Sequence, residues 1–307
     1  MASELHICNS DAVLLYLGFN WLIINKLNFM AKDLEYYLPL IEFHISKIIY
    51  PVINESELND VISAIKDSRG LKSRNREEVK NFVVDKFVKE KVLGTPNLYC
   101  FSNNVNGLEI YSAVSRVSFF SYQTSLYIHS LVEELSYDIF MVKERKPYDQ
   151  QSENLLTQHS IDESFRKDPR LATNKRVLKG HQINIITGQF QENIGVMKSQ
   201  QYFIADLERT LIDCTVRPFY AGGSHGVLKA FESAKGRLNT ETLYEYYSKM
   251  NFIYPYHQAL GYYLEQSGYE ESQFKPFLEY EREFDFYLEY VMKKKSYNKK
   301  WRIYFPV

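Results

Sequence analysis

The stretch DLERTLIDCTVRPFYAGG, residues 206–223, contains the most informative pattern in the chain. Asp206 is a suitable N-cap, because its carboxylate can accept hydrogen bonds from the first backbone N–H groups of a helix. In that helix Arg209 and Asp213 are four residues apart, a spacing that pairs opposite charges on one face. Pro218 predicts the end of the helix, and the two closing glycines predict a turn. The stretch therefore predicts a capped helix followed by a sharp turn.

The sequence around this stretch alternates between helical and extended patterns. Apolar spacing predicts helices at 121–131, 224–234, 240–250, 256–266 and 279–293. Alternating apolar residues predict strands at 181–190 and 301–305. Residues 144–180 are polar, charged and contain two prolines, so we expect a long surface loop there. The C-terminal part of the chain is therefore expected to be a mixed α/β domain.

The N-terminal third has a different order, with helices first and then a strand and turns. Apolar residues recur at helical spacing from 33 to 70 and again from 79 to 87. Residues 97–101 predict a strand, and the asparagines at 103–107 predict turns that end this region. Three helices followed by a strand and turns are typical of a winged helix-turn-helix domain.

In helix-turn-helix proteins the start of the recognition helix enters the major groove of DNA. Seven candidate DNA contacts surround that position here: Arg69, Lys72, Ser73, Arg74, Asn75, Arg76 and Lys80. Lys and Arg can bind phosphates, while Arg and Asn can read guanine and adenine edges. A solvated basic helix face without a partner fits the spacing equally well, and small winged helices are also used for protein contacts.

Composition restricts the other function classes. A chain of 307 residues is long enough for two domains, and its net charge of −1 requires any DNA-binding face to be a local patch. Cys8, Cys100 and Cys214 are far apart and show no CxxC spacing, so we expect neither a zinc site nor a disulfide framework. This suits the reducing cytoplasm. The 25 Tyr and 20 Phe are spread along the chain and are interpreted as core and surface residues.

The apolar segment 12–30 is interrupted by Gly18, Asn20, Asn25 and Lys26. It has no basic residues before it and no small-residue cleavage site after it, so we expect a buried helix instead of a signal peptide or a membrane span. Residues 1–32 are therefore interpreted as an N-terminal helical extension.

No motif of a known catalytic site is present. The seven histidines include no HExxH pair, and GxSxG, P-loop and GxGxxG patterns are absent. The densest polar cluster contains Asp206, Glu208 and Asp213, a carboxylate set that would suit a metal-dependent nuclease. We favour a structural role, because Asp206 suits a cap and Asp213 suits pairing with Arg209. The nuclease stays an alternative.

Residues 206–214, with Arg217-Pro218 and residues 220–223, resemble the signature of AbiEi-type antitoxins, an ERTxxD stretch before a P-x-x-x-GG turn. Residues 259–265 are similar to the family's RLGYLLE helix, with Ala259 where Arg is common. Residues 300–303 are similar to its closing strand, and 118–126 to the segment that follows its winged helix. The resemblance covers about residues 33–307 and is strongest from 200 to 225.

The resemblance implies an α+β protein with a winged-helix DNA-binding domain at 33–110 and a mixed α/β antitoxin domain at 111–307. The first would bind promoter DNA and repress its own operon. The second would counteract a nucleotidyltransferase-like toxin encoded beside it, as part of a toxin–antitoxin phage-defence (abortive infection) system. Such a protein is cytoplasmic, is not an enzyme, and needs no metal, cofactor or membrane.

The resemblance also implies which residues form the family signature, with structural or toxin-antagonising roles. They are Asp206, Glu208, Arg209, Thr210, Asp213, Arg217, Pro218, Gly222 and Gly223. We expect Arg209 and Asp213 to tie their helix to the turn formed by the two glycines. Glycine there would permit backbone angles that are closed to other residues.

Overall fold

The computed structural model describes residues 33–147, 156–199 and 201–307, which form an α+β protein. Its contacts divide these residues into two compact units. The helical unit contains residues 33–49 and 56–88, and the main unit contains residues 50–55 and 89–307. The expected extension at 1–32, including its apolar segment and Cys8, lies outside the described residues.

The helical unit consists of a short 3-10 helix, Leu34–Tyr37, and three α-helices. These are α1 (Leu38–Ile45), α2 (Glu55–Lys66, of which residues 56–66 belong to this unit) and α3 (Arg76–Phe87). The fully buried apolar residues of the unit recur at helical spacing and form its interior: Ile41, Leu58, Ile62, Ile65, Leu71, Val79 and Val83. The apolar periodicity of the sequence therefore predicted these helices and their buried faces correctly.

The main unit begins with a small antiparallel sheet. Its strands are β1 (Val52–Asn54), β2 (Glu90–Val92) and β3 (Leu98–Cys100), in the order β1-β3-β2. Val52 and Glu90 both pair with Cys100 in the register. A short helix, α4 (Gly107–Ser112), follows where we expected turns, because Asn106 and Glu109 form a capping box that begins a helix.

A six-stranded mixed sheet follows in the main unit. Its strands are β4 (Phe119–Phe120), β5 (Asp138–Glu144), β6 (Asn174–Leu178), β7 (His181–Gly188), β8 (Val196–Ser199) and β9 (Tyr202–Ala205). Their order is β6-β7-β5-β4-β9-β8. Strand β5 pairs parallel with β7, and β4 pairs parallel with β9. Helix α5 (Tyr122–Ile128) follows β4, and α6 (Gln158–Arg166) precedes β6.

The C-terminal part of the main unit is a helical layer closed by a small sheet. Its helices are α7 (Leu207–Val216), α8 (Gly223–Ala234), α9 (Thr240–Met250), α10 (Tyr256–Gln266) and α11 (Glu271–Leu278). The sheet order is β10-β12-β11, with β10 (Phe286–Tyr287), β11 (Lys295–Asn298) and β12 (Ile303–Pro306). The predicted helices at 224–234, 240–250 and 256–266 and the strand at 181–190 are confirmed.

Two predictions of local structure were wrong. Residues 144–180 are not one long loop, because α6 and β6 lie within them and Ile161, Phe165 and Leu178 are buried. Their few apolar residues are separated by charged ones, which hid the helical spacing. The predicted helix at 279–293 is also wrong, since that segment contains β10. Its aromatic residues pack into the core from an extended chain.

The boundary of the units differs from the expected division at residue 110. Val52, Val92, Leu98 and Cys100 share one hydrophobic core with residues of the six-stranded sheet, including Ile139 and Ile183. The strand at 97–101, which we assigned to the winged-helix domain, therefore lies in the main unit. Among the described residues, the helices are too short or too polar for any of them to cross a lipid bilayer.

Candidate functional site

Helix α7 is held at its start by the residue that the sequence predicted. Asp206 is the N-cap, and its Oδ1 accepts a hydrogen bond from the backbone N–H of Arg209 at 2.8 Å. Its other oxygen accepts from the hydroxyl of Tyr246 at 2.9 Å. Burial raises the pKa of the Asp206 carboxyl, and the hydrogen bonds from Arg209 and Tyr246 oppose that rise. Asp206 thus connects α7 to α9.

Arg209 is the centre of a buried polar network. Its side chain is 4% exposed, and its Nε donates to Asp213 Oδ1 at 2.8 Å. The two terminal nitrogens lie 3.3 Å from Glu144 Oε1, and one also donates to the carbonyl oxygen of Ile194 at 2.8 Å. Asp213 Oδ2 accepts from the Ser121 hydroxyl at 2.6 Å.

This network is compensated in charge and in hydrogen bonding. Burial acts to lower the pKa of the Arg209 guanidinium, but Asp213 and Glu144 outweigh that effect and the pKa is raised. Glu144 Oε2 accepts from the backbone N–H groups of Gln191 and Asn193 at 2.8 and 3.1 Å. A buried charge set of this kind is tolerated because each member is paired. Its effect is to connect α7 to the end of β5, to the 191–194 turn and to the start of α5.

The turn formed by Gly222 and Gly223 has a different partner from the one we expected. Both glycines have positive φ, 77° and 75°, as a tight helix entry requires. Glu289 accepts a hydrogen bond from the backbone N–H of Ser224, and a Cβ on Gly223 would lie 2.9 Å from Glu289 Oε1. Arg209 and Asp213 bond to other groups, so the expected link from them to this turn was wrong.

The three carboxylates of the nuclease alternative do not converge. Glu208 accepts from the backbone N–H of Asn239 at 2.9 Å, so it caps the start of α9. Asp206 and Asp213 are engaged with Tyr246 and Arg209 as described above. Within residues 33–147, 156–199 and 201–307, no three His, Cys, Asp or Glu side chains are arranged to hold a metal ion.

A cavity of about 680 Å³ lies beside α7 in the main unit. Arg209, Asp213, Val216 and Arg217 of the signature stretch line it. Ser160, Glu163 and Ser164 of α6 and Lys167 just after it also line the cavity. Residues 252–254, before α10, and Tyr256 at its start complete this part of the wall. The sequence did not predict this cavity, because its walls come from segments as far apart along the chain as Tyr122 and Tyr290.

The predicted DNA contacts all lie in the helical unit, in the segment between α2 and α3 and at the start of α3. Arg69, Lys72 and Ser73 are exposed. Asn75 is the N-cap of α3 and accepts from the N–H groups of Glu77 and Glu78 at 2.8 and 3.4 Å.

Two of the predicted arginines already have partners within the helical unit. Arg74 is paired with Glu78 at 3.3 Å. Arg76 donates to Ser63 Oγ at 3.0 Å and to the carbonyl oxygen of Asn59 at 2.7 Å. Arg76 therefore connects α3 to α2.

Sequence reasoning missed Glu144, Ser121 and Glu289, the partners of the signature residues. Each is remote along the chain from residues 206–223 and belongs to no recognisable spacing. One signal was available for Glu144: it is a charged residue that follows shortly after the apolar residues Phe140, Met141 and Val142 of a strand.

No known protein family profile matches the chain, and no curated protein is detectably similar to it. A solved structure does share its fold: the crystal structure of the Rv2827c protein from Mycobacterium tuberculosis, with a TM-score of 0.53 and 8% sequence identity. The match covers 88% of this chain and 91% of that one. At this identity the likeness concerns the fold alone.

Proposed function

We propose that this protein is a cytoplasmic, DNA-binding antitoxin of the AbiEi type that represses its own operon and counteracts a nucleotidyltransferase-like toxin. The observation that carries the proposal is the order of elements from residue 38 to residue 100. A helix, a strand, two helices and two strands follow one another, and the sheet order is β1-β3-β2. This order is typical of winged-helix proteins, in which the third helix enters the DNA groove. The resemblance of residues 206–223 to the family signature supports the antitoxin part.

We rank the residues expected to contact DNA by their exposure and by the bonds that they already form. Arg69 and Lys72 are exposed and are the strongest candidates for phosphate contacts. Ser73 and Lys80, the fifth residue of α3, are secondary candidates. Arg74, Asn75 and Arg76 support the start of α3 through their own bonds, so we expect them to position the helix.

The second candidate is a winged helix that contacts protein. Glu77 and Glu78 are exposed at the first turn of α3, where DNA phosphates would approach in the first proposal. Carboxylates at that place oppose phosphate and favour a basic protein surface. The two proposals therefore differ in which charged residues of the same helix matter.

Promoter binding tests the proposal directly. The double variant Arg69→Glu, Lys72→Glu should lose binding to a duplex from upstream of the gene, and each lost phosphate contact should lower the salt slope by about one unit. Lys229→Glu with Lys275→Glu, two exposed lysines of the main unit, is the matched control and should bind normally. Equal promoter binding by both double variants at every salt concentration would contradict DNA recognition by this surface.

The antitoxin part has its own test. Co-expression with the neighbouring toxin gene should restore growth, and rescue should survive the Arg69→Glu, Lys72→Glu changes, since these lie in the helical unit. A promoter reporter in the same cells should lose repression. A protein that never rescues growth from a toxin encoded beside it is not an antitoxin of this type.

A further inference from the structure

The cavity beside α7 contains several hydrogen-bond donors that the protein itself does not satisfy. Arg217, Tyr122, Tyr256 and Tyr290 all line it. Among the described residues, none of these four side chains has a hydrogen-bond or ion-pair partner. The four contribute to the wall of one and the same cavity. Unsatisfied donors that converge on one cavity are a feature of ligand sites.

Among the described residues, Arg217 belongs to none of the ion pairs around the cavity, whose lining also includes Asp168 and Arg170. Arg209 is paired with Asp213 and Glu144, and Lys167 lies 4.0 Å from Glu163. Arg217 has no such carboxylate within bonding distance in the part of the chain that the structure describes, and the residue is half-buried. A half-buried guanidinium without a carboxylate partner is available to form charge-assisted hydrogen bonds with an anion in the cavity.

Tyr122 has an unusual backbone conformation at the cavity wall. It is 5% exposed and has a φ of 52°, in the left-handed region that bulky residues rarely adopt. Such strain is concentrated at binding and catalytic sites, where the fold holds a side chain in a required position. The side chain that this conformation places is one of the four donors.

Part of the remaining wall is apolar and aromatic, and the rest is polar, with Asp168, Arg170 and Gln191 among its residues. Phe219, Phe252 and Tyr254 line the cavity together with Val142 and Val216. The Tyr254 hydroxyl is already bonded to Ser164 Oγ at 3.1 Å, which leaves its ring as the surface available to a ligand. Aromatic walls favour a flat ring through stacking or edge contacts. A volume of about 680 Å³ is adequate for a small ligand of this kind.

We propose that this cavity binds a small molecule that carries a phosphate or carboxylate group beside a flat ring, of which nucleoside monophosphates are the natural probe. Arg217 pairs with the anionic group, and the hydroxyls of Tyr122, Tyr256 and Tyr290 donate to its oxygens. Phe219, Phe252 and Tyr254 contact the ring. This site lies in the main unit, and it depends neither on DNA binding nor on antitoxin activity.

Isothermal titration of the full chain tests the proposal with four kinds of probe. These are the nucleoside 5′-monophosphates, the corresponding nucleosides, inorganic phosphate and 4-hydroxybenzoate. We expect a probe with both an anionic group and a ring to bind more tightly than inorganic phosphate or a nucleoside alone. If 4-hydroxybenzoate binds more tightly than the monophosphates, the natural ligand carries a carboxylate. If the monophosphates bind more tightly, it carries a phosphate.

Variants connect the binding to this cavity. Arg217→Gln should weaken binding by about tenfold or more, and Arg217→Lys should restore part of it because the charge returns. Tyr256→Phe, which removes only a hydroxyl, should weaken binding less. Lys229→Gln on the exposed face of α8 is the control and should bind normally. Circular dichroism of each variant serves to check that it is folded.

Two results would overturn the proposal. One is the absence of binding by every probe at millimolar concentration. The other is binding that folded Arg217→Gln protein retains in full, because the anion would then lie elsewhere.

Discussion

Gly261 of α10 lies directly against the indole ring of Trp301. A Cβ at position 261 would be 2.1 Å from Trp301 Cη2, a distance that no side chain tolerates. Trp301 is fully buried, and its Nε1 donates to Glu265 Oε2 at 2.6 Å, one turn further along the same helix. Thus the two distant stretches 259–265 and 300–303 pack on one another.

Gly261→Ala is therefore expected to destabilise the protein. Alanine favours a helix over glycine by about 1 kcal/mol, but the contact with the indole ring should cost about 1–3 kcal/mol and outweigh it. Trp301→Phe replaces the indole with a smaller ring and so removes the atoms Cη2, Cζ3 and Cζ2 that the new methyl group would contact. Urea unfolding of both single variants and the double variant gives the coupling energy, and the double variant should be more stable than the sum of the single effects. Strict additivity would show that the two side chains do not collide.

The two arginines of the signature stretch should differ sharply in their contribution to stability. Arg209→Met leaves the buried carboxylates of Asp213 and Glu144 without their partner, at a cost of about 3–5 kcal/mol. Arg217→Met removes a charge with no carboxylate partner among the described residues and should change the free energy of unfolding by less than about 1 kcal/mol. Chemical denaturation at neutral pH measures both. Equal losses in the two variants would contradict this division into a structural and a ligand-binding arginine.

The sequence predicted α7 and its cap because those signals are local: an Asp, a helical apolar stripe and a proline lie within a few residues. It predicted the Arg209–Asp213 pair for the same reason, since four residues on a helix fix the distance. It did not predict Glu144 or Glu289, because those contacts depend on how remote segments pack. The cavity was missed for that reason too, and α6 was missed because Ile161 and Phe165 alone carry its buried face.

The buried histidine His257 is expected to make the folded protein less stable in mild acid. It is 6% exposed, and its Nδ1 lies 3.1 Å from the Tyr247 hydroxyl. Burial lowers its pKa from 6.5 to about 4, so the folded protein keeps the ring neutral while the unfolded chain binds a proton below about pH 6.5. Since the unfolded state binds more protons in that window, stability falls as the pH falls from 6.5 towards 4.

The expected loss attributable to His257 between pH 7 and pH 5 is about 2 kcal/mol. His257→Gln should remove this contribution, so the difference in unfolding free energy between the two pH values should shrink in the variant. Urea titrations of both proteins at each pH measure it. A variant with the same pH dependence as the parent protein would assign the acid sensitivity to other groups.

The insertion of residues 56–88 between two parts of the main unit suggests how the proposed functions separate. Asn54 pairs with Leu98, and Glu90 pairs with Cys100, on the two sides of β3. Strand spacing places residues 55 and 89 roughly 16 Å apart, which about six glycine and serine residues can span. Residues 50–307 with this linker in place of 56–88 should therefore fold.

We expect this shortened protein to unfold cooperatively and to rescue cells from the toxin without repressing the promoter. A fragment cut at residue 110 should be less stable by several kcal/mol, because it loses Val52, Val92, Leu98 and Cys100 from the core that covers the six-stranded sheet. Thermal unfolding ranks the two proteins, and survivor counts with a promoter reporter measure the two activities. Equal melting temperatures would show that β1, β2 and β3 add nothing to the main unit. Rescue lost in a folded shortened protein would show that the helical unit takes part in restraining the toxin.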